Sequence, residues 1–256
     1  MEILIDGKKV KSGEGKTILE VALENGIEIP HLCWHPALEP YGACRLCLVE
    51  VEDNNRKTLV ASCTYPVRDG LKVFTNTEKV FQSRRFVIKL LLGNAPDSEK
   101  IKKLAKDYEV SLSSSIALFP ADNCIRCGLC VRVCRELIKK ESIGFIKRGI
   151  ERIPETPFLE ENPECLACGA CAYLCPTGRI KILDGEGTRK IELWRRKEKL
   201  AVCKNCGKNF VPLKQIEEVK AKIENEELKE FLELCPECRR KILFSKLKKG
   251  EMVEQN

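Results

Sequence analysis

The chain has 256 residues, 16 cysteines and a formal charge of +7, and only 6% of its residues are aromatic. With so few aromatic residues and 32% charged residues, one large core would be thin, so several small modules stabilised by metal fit better. No apolar run precedes a cleavage site at the N-terminus, and no stretch approaches the roughly 18 apolar residues of a membrane span, so we expect a cytoplasmic protein without membrane spans. In that reducing setting, clustered thiols indicate metal sites rather than disulfides.

The positive charge alone would favour a nucleic-acid partner. That count treats every cysteine as neutral, whereas 16 cysteines can form four four-thiolate sites with a net charge near −2 each. The loaded protein would then carry 7 − 8, or about −1. A zinc-ribbon or redox-sensing regulator that binds nucleic acid therefore stays only an alternative, and we expect no nucleic-acid partner.

Residues 1–78 are predicted to form a small sheet with one packed helix, a β-grasp-like arrangement. Two short strands flank the turn at Asp6 and Gly7. Thr17 precedes the helically spaced segment "ILEVALEN", and Gly26 ends it. Three more strands are predicted in "LCLVEVE", "TLVAS" and "DGLKVF".

The rest of the chain is predicted to divide into three further segments. Residues 79–119 form a helical linker, with a helix over 79–92 that has one broad apolar face and a shorter helical piece at "IKKLAKDY". Residues 120–186 form a ferredoxin-like domain. Residues 187–256 form a C-terminal metal-binding domain, whose middle, 214–234, is predicted to be one packed helix. The fold class is therefore α+β with several modules.

Two C-x2-C-x2-C-x3-C runs mark the segment 120–186 as a two-cluster bacterial ferredoxin. Three thiolates of each tight loop can bind three corners of one [4Fe–4S] cube, and the fourth cysteine starts a helix that leads it to the other cube. The crossed assignment gives one cube to Cys124, Cys127, Cys130 and Cys175, and the other to Cys134, Cys165, Cys168 and Cys171. Arg135 stands where proline usually follows the first run.

The N-terminal module has its own four cysteines, which are Cys33, Cys44, Cys47 and Cys63. A Rieske centre would need two histidines as ligands, and Cys33-Trp34-His35 imitates half of that pattern. No histidine follows the next two cysteines, and Cys63 supplies a fourth thiolate instead. We therefore predict an all-cysteine [2Fe–2S] cluster, with neither His31 nor His35 as a ligand.

The C-terminal segment contains a second type of pattern, the paired turns "CKNC" and "CPEC". Two such turns are typical of a zinc ribbon that holds Zn²⁺ in a tetrahedron of thiolates. The same thiolates could also bind a fourth iron–sulfur cluster, and zinc is favoured. The predicted ligands are Cys203, Cys206, Cys235 and Cys238.

These motifs and their order resemble a known family. The segments "CWHPALEPYGACRLCLVEV", "SCTYPVRDGLKVFT", "RRFVIKLLL", "DNCIRCGLCVRVCRE" and "ECLACGACAYLCPTG" are similar to the N-terminal iron–sulfur region of the complex I large subunit. They are also similar to parts of iron-only hydrogenases and of the small diaphorase subunits of NAD-linked hydrogenases. One departure is that residues 76–123 contain neither His nor Cys, so the cluster that the family usually holds there with one histidine and three cysteines is absent.

The resemblance implies an electron-relay subunit within a larger complex. The implied partners are a flavin- and NAD(P)-binding subunit of the complex I type, a separate catalytic subunit and, through the complex, ferredoxin. A hydrogenase is the favoured catalytic partner, with electron bifurcation as one mode of action, and a formate dehydrogenase or transhydrogenase complex is the alternative. The sequence contains no nucleophile–base pair, phosphate-binding loop or flavin motif, so no catalytic residue is assigned. The question of activity stays open for the isolated chain, whereas the complex is expected to be an NAD(P)-linked oxidoreductase in which this chain transfers electrons.

Overall fold

The computed structural model describes residues 1–53, 56–114, 116 and 121–248. The predicted linker, 79–119, and the predicted C-terminal domain, 187–256, each extend beyond these described residues. The chain forms two compact units, one of residues 1–155 and 170–179 and the other of residues 156–169 and 180–256.

The first unit begins with a five-stranded sheet in the order β2-β1-β5-β3-β4. Its strands are β1 Glu2–Ile5, β2 Lys8–Lys11, β3 Leu48–Asp53, β4 Arg56–Ala61 and β5 Lys72–Phe74. The central pair β1 and β5 is parallel, and the other neighbours are antiparallel. Helix α1, Ile18–Glu24, contributes buried apolar side chains to the same core as the sheet. The predicted sheet with one packed helix is confirmed.

Local chemistry explains why these elements begin and end where they do. Asp6 and Gly7 both have positive φ, 48° and 79°, as a two-residue hairpin turn requires. The Thr17 side chain accepts a hydrogen bond from the Glu20 N–H, and the Glu20 carboxylate accepts one from the Thr17 N–H, which forms a capping box. Gly26, at φ 69°, follows the end of the helix.

The predicted linker packs on this sheet rather than standing apart from it. Helix α2, Glu78–Asn94, is longer than the predicted segment 79–92, and α3 covers Glu99–Asp107. The buried side chain of Arg84 donates two hydrogen bonds to the Leu48 carbonyl at the start of β3, from Nε at 3.1 Å and from Nη2 at 2.6 Å. An arginine in the middle of the apolar face thus attaches α2 to the sheet.

Two short helices and a small hairpin complete the first unit. They are α4 Leu129–Glu136, β6 Gly144–Ile146, β7 Ile153–Glu155 and α5 Ala170–Tyr173. The prediction that the fourth cysteine of each run starts a helix is wrong. Gly128 and Gly169 adopt φ of 74° and 85°, so the chain turns there and each helix starts on the following residue. Cys134 consequently lies in the last turn of α4, and Cys175 follows α5.

The second unit contains a four-stranded antiparallel sheet that was not predicted. Its strands are β8 Leu183–Gly185, β9 Thr188–Ile191, β10 Arg196–Val202 and β11 Asn209–Pro212, adjacent in that order. Glu186 and Gly187, both at positive φ, form the turn between β8 and β9. Trp194, fully buried, lies between β9 and β10.

The prediction of one packed helix over 214–234 is wrong, because the segment forms two helices. These are α6 Leu213–Lys220 and α7 Glu226–Leu232, and α8 Pro236–Lys248 follows. The Asn225 side chain caps α7 by accepting from the Leu228 N–H at 3.1 Å, which starts a new helix. Leu228, within this segment, is 53% exposed rather than packed. None of the helices in the described ranges combines the length and apolar character that crossing a membrane requires.

Candidate metal centres

Four buried cysteines converge beside the five-stranded sheet. Cys33, Cys44 and Cys47 lie on the loop between α1 and β3, and Cys63 follows β4. The Cys44 backbone N–H points at Cys33 Sγ at 3.4 Å. Arg45, at φ 56°, bends the chain between the second and third of these cysteines. The four predicted ligands are thus brought together by the ends of β3 and β4 and by one strained loop.

The thiols of this set interact directly with one another. Hydrogen bonds from Cys44 and then from Cys63 lower the pKa of Cys33 to about 2. A hydrogen bond from Cys63 is the largest influence that lowers the pKa of Cys47 to about 6. The donating thiols of Cys44 and Cys63 have raised pKa values for the same reason. Four adjacent sulfurs that share protons in this way offer thiolates to a metal centre, so the donor set fits an all-cysteine cluster.

Both histidines near this set make backbone contacts. His31 Nδ1 lies 2.8 Å from the Ile29 carbonyl oxygen, and its ring packs edge-on against Trp34. His35 Nδ1 accepts a hydrogen bond from the Ala37 N–H at 3.2 Å. These bonds orient the rings and give each histidine a structural role next to Cys33.

The first ferredoxin-type run surrounds the N-terminus of α4. Gly128 brings the backbone close to its neighbours, because a Cβ there would lie 3.3 Å from the Tyr41 ring and 3.4 Å from the Phe145 ring. Burial raises the pKa of Cys127 to about 12, and the charges of Cys124 and Cys175 raise it further. The buried thiols of Cys127 and Cys130 therefore lie in a dry environment in which bound iron, rather than water, would stabilise their thiolates.

Cys175 lies with this first run, although 41 positions or more separate it from those cysteines in sequence. Burial is the main cause that raises the pKa of Cys130, and the charges of Cys127, Cys124, Cys171 and Cys175 act in the same direction. The Thr177 hydroxyl donates to the Asn123 carbonyl at 2.7 Å, which attaches the segment after Cys175 to the start of the run.

Two arginines and one aspartate surround the beginning of the run. Arg126 donates to the Asp122 carboxylate at 2.6 Å, and Arg179 does so at 3.1 Å. Arg126 also donates to the Cys124 carbonyl, and the Cys124 N–H donates to Asp122 at 3.2 Å. This network fixes the Cys124 backbone, and neither arginine was singled out by the cysteine spacing.

The other predicted cube set divides between the two compact units. Cys134 and Cys171 belong to the first unit, and Cys165 and Cys168 belong to the second. Within the second unit, the Cys168 carbonyl lies 3.5 Å from Arg189 Nη1. The assembly of these four cysteines stays a prediction.

The four C-terminal cysteines form a compact group. The Sγ atoms of Cys203, Cys206, Cys235 and Cys238 all lie within 4.8 Å of one another. The first pair lies on the turn between β10 and β11, where Gly207, at φ 71°, donates its N–H to the Cys203 carbonyl at 2.9 Å. The second pair flanks Pro236 at the start of α8.

Further hydrogen bonds point at these sulfurs. The Cys235 N–H donates to Cys203 Sγ and the Asn205 side chain donates to Cys238 Sγ, both at 3.2 Å. Such donors stabilise thiolates in tetrahedral and cluster sites alike. The group can therefore hold a single metal ion or an iron–sulfur cluster, which leaves the choice open at this point.

Comparison with known protein families identifies two of the three cysteine-rich segments. Residues 1–78 match the 2Fe-2S iron-sulfur cluster binding domain, and residues 123–179 match the 4Fe-4S dicluster domain. Cysteine thiolates are the usual ligands of both kinds of cluster, and the sets described above consist of cysteines.

Among curated relatives, the α subunit of NADPH-Fe(3+) oxidoreductase from Geobacter sulfurreducens is 30% identical over 204 residues, which cover 70% of this chain and 24% of the relative. A subunit of the NADH-quinone oxidoreductase from Rickettsia prowazekii is 28% identical over 203 residues, which cover 70% of this chain and 30% of the relative. The chain thus spans less than a third of the length of these relatives.

A solved structure agrees with this similarity. A chain of the NAD+-reducing [NiFe]-hydrogenase in its H2-reduced state is 32% identical, with a TM-score of 0.53, and the match covers 61% of this chain and 74% of that one. The resemblance drawn from the motifs is confirmed. The chain is an iron–sulfur electron-relay protein, with a [2Fe–2S] domain and a [4Fe–4S] dicluster domain, similar to subunits of complex I and of NAD-linked hydrogenases.

Proposed function

We propose that this chain passes single electrons between a flavin- and NAD(P)-binding subunit and a separate catalytic subunit. When bound, the clusters supply one-electron acceptors at low potential, in the range of about −400 mV for plant-type [2Fe–2S] centres. The observation that carries the proposal is the proximity of two ligand sets within the first unit, since Arg132, on the helix that carries Cys130, donates a hydrogen bond to the Cys33 carbonyl. The protein keeps the two sets close, which is what a relay requires.

We assign the ligands by sets. The proposed [2Fe–2S] ligands are Cys33, Cys44, Cys47 and Cys63. The proposed ligands of the first cube are Cys124, Cys127, Cys130 and Cys175, and those of the second are Cys134, Cys165, Cys168 and Cys171. The hydrogen bond from Thr177 to the Asn123 carbonyl, which attaches the segment after Cys175 to the start of the first run, supports the crossed arrangement, as does the influence of the Cys175 charge on the pKa of Cys127. The proposed domain limits are 1–78, 79–119, 120–186 and 187–256.

For the C-terminal site we propose one Zn²⁺. Four thiolates at about 2.3 Å from zinc in a tetrahedron would have sulfurs about 3.8 Å apart. The Cys206 and Cys235 sulfurs are 3.7 Å apart, and every pair lies within 4.8 Å, which supports a single ion. A cube would spread its ligands over four irons and so hold them farther apart. The role of this ribbon-like site would be to maintain a docking surface for a partner subunit.

The favoured catalytic partner is a hydrogenase, because the similar solved structure is an NAD+-reducing [NiFe]-hydrogenase. Electron bifurcation and contact with ferredoxin through the complex belong to the same proposal. A formate dehydrogenase or transhydrogenase complex would use the same relay. The clustered thiols suit a reducing, cytoplasmic location.

Metal analysis of the full chain tests the relay. After anaerobic purification we expect about ten iron, ten sulfide and one zinc per chain, since one [2Fe–2S] and two [4Fe–4S] clusters are proposed. About four irons per chain would refute the two-cube assignment. Cys175→Ser should remove the paramagnetic signal of one cube and Cys134→Ser that of the other. Crossed ligation is refuted if each change affects the cube of its own run.

The alternative of another class, a regulator that binds nucleic acid, makes a distinct prediction. It requires tight binding to DNA at physiological salt, where nonspecific phosphate contacts weaken. A titration of the loaded protein with duplex DNA at about 150 mM salt should show no such binding if the relay is correct.

A further inference from the structure

Arg132 is a buried arginine on the helix that carries two proposed cube ligands. It lies on α4 between Cys130 and Cys134 and is 4% exposed. Its Nη2 donates a hydrogen bond of 2.5 Å to the backbone carbonyl of Cys33, a proposed [2Fe–2S] ligand 99 positions earlier in the chain. One side chain thus connects the ligand backbones of two different centres.

Other contacts hold the same loop against α4. Arg132 Nη1 donates to the Glu39 carbonyl, and the guanidinium lies 5.4 Å from the centroid of the Tyr41 ring. The Glu136 carboxylate accepts from the Glu39 N–H at 3.0 Å. Tyr41 itself packs on Gly128, where no side chain separates the ring from the cube loop. Arg132 is the central contact of this interface.

The charge of Arg132 has no carboxylate partner among the residues that the structure describes. Its Nε also lacks a hydrogen-bond acceptor within those residues. A buried cation is costly unless negative charge lies nearby. Glu136 lies one turn along the same helix without forming an ion pair with Arg132, and the thiolate sets on either side, loaded with iron and sulfide, would add about −2 each.

We propose that Arg132 is a positioning residue that fixes the Cys33 loop against α4 and makes one-electron reduction of both neighbouring centres easier. The inference rests on the proposed relay function. An added electron increases the negative charge beside the guanidinium, so the buried cation stabilises the reduced state more than the oxidised state. The two hydrogen bonds to backbone carbonyls keep the two ligand sets at a fixed separation.

The test compares Arg132→Gln with Arg135→Gln in the anaerobically purified full chain. Arg135 is on the same helix, but its side chain is 55% exposed, so water screens its charge. Redox titration monitored by paramagnetic resonance should show that Arg132→Gln lowers the reduction constants of the [2Fe–2S] centre and the first cube about tenfold, which is about 59 mV for one electron. Arg135→Gln should change them less than about twofold.

A third variant separates charge from positioning. Arg132→Lys keeps the charge but cannot reach both carbonyls with one rigid fork. It should keep both reduction constants within about threefold of the wild type, while the magnetic coupling between the two centres weakens. The Arg132→Lys variant also tests the charge effect if Arg132→Gln fails to hold its clusters. A tenfold decrease of the reduction constants in Arg132→Lys, which keeps the positive charge, would refute that effect.

The outcomes distinguish this inference from the relay itself. A wild-type chain that lacks the [2Fe–2S] and cube signals overturns the proposed function. A wild-type chain that has them, with equal potentials in Arg132→Gln and Arg135→Gln, overturns only the role of Arg132.

Discussion

Replacing Cys235 by serine should unfold the C-terminal site and leave the iron–sulfur modules intact. The apolar side chains packed against the buried cysteines there are Phe210 and Leu234, and both are only partly buried. Full burial of such a side chain contributes about 1.5–3 kcal/mol, so these two contribute at most about 6 kcal/mol. A structural zinc ion contributes about 10–16 kcal/mol at pH 7. The metal, not the apolar contacts, should therefore hold this segment together.

Hydrogen exchange and zinc analysis of the full chain provide the assay. Cys235→Ser should bind less than about a tenth of the wild-type zinc, and the amides of residues 203–212 should exchange at least about a hundredfold faster, which corresponds to about 2.8 kcal/mol. The matched control is Val202→Ser, because Val202 adjoins the site but is 60% exposed. The Val202→Ser variant should keep its zinc and the protection of these amides from hydrogen exchange. Unchanged protection in zinc-free Cys235→Ser would refute the reasoning.

Three further outcomes are expected. The double change of His31 and His35 to alanine should leave a rhombic, all-thiolate [2Fe–2S] spectrum, and loss of the cluster would contradict it. Arg84→Met should destabilise the chain by about 1–3 kcal/mol because the Leu48 carbonyl loses its buried donors, whereas Arg85→Met should cost less than about 0.5 kcal/mol in the same denaturant titration. Zinc affinity, measured by competition with a chromophoric chelator, should weaken between pH 7 and pH 5 as protons compete for thiolates, and a constant affinity would exclude thiolate ligation.

The predictable parts of this fold depend on short-range chemistry. Two residues suited to positive φ, Asp6 and Gly7, define the first hairpin, and the Thr17–Glu20 box defines the start of α1. Cysteine spacing likewise predicted which thiols belong to the C-terminal site, because ligands held by tight turns are close in sequence. In each case the residues that form the signal are only a few positions apart in the sequence.

The features that were not predicted depend on competing sequence patterns or on contacts between residues far apart in the chain. The apolar periodicity of 214–234 favoured one helix, but the cap at Asn225 divides it in two. Strands β9 and β10 are rich in lysine, arginine and glutamate, so the charged side chains hid the alternation of apolar and polar residues that marks a strand. Arg132 could not be recognised from spacing, since its partner carbonyl lies 99 residues away. A charged residue inside the apolar run "LCVRVC" was the one available signal.

The linker explains how the relay tolerates the missing histidine-containing cluster. Residues 76–123 supply no metal ligand, yet α2 packs on the sheet through Arg84. The linker therefore packs on the sheet of the [2Fe–2S] domain and offers no histidine or cysteine to a further cluster. The separation between the first two ligand sets is then determined by the contact of α4 with the loop around Cys33, where Arg132 and Tyr41 lie. In the proposed relay, an electron would pass directly between these two sets, without an intermediate centre in the linker.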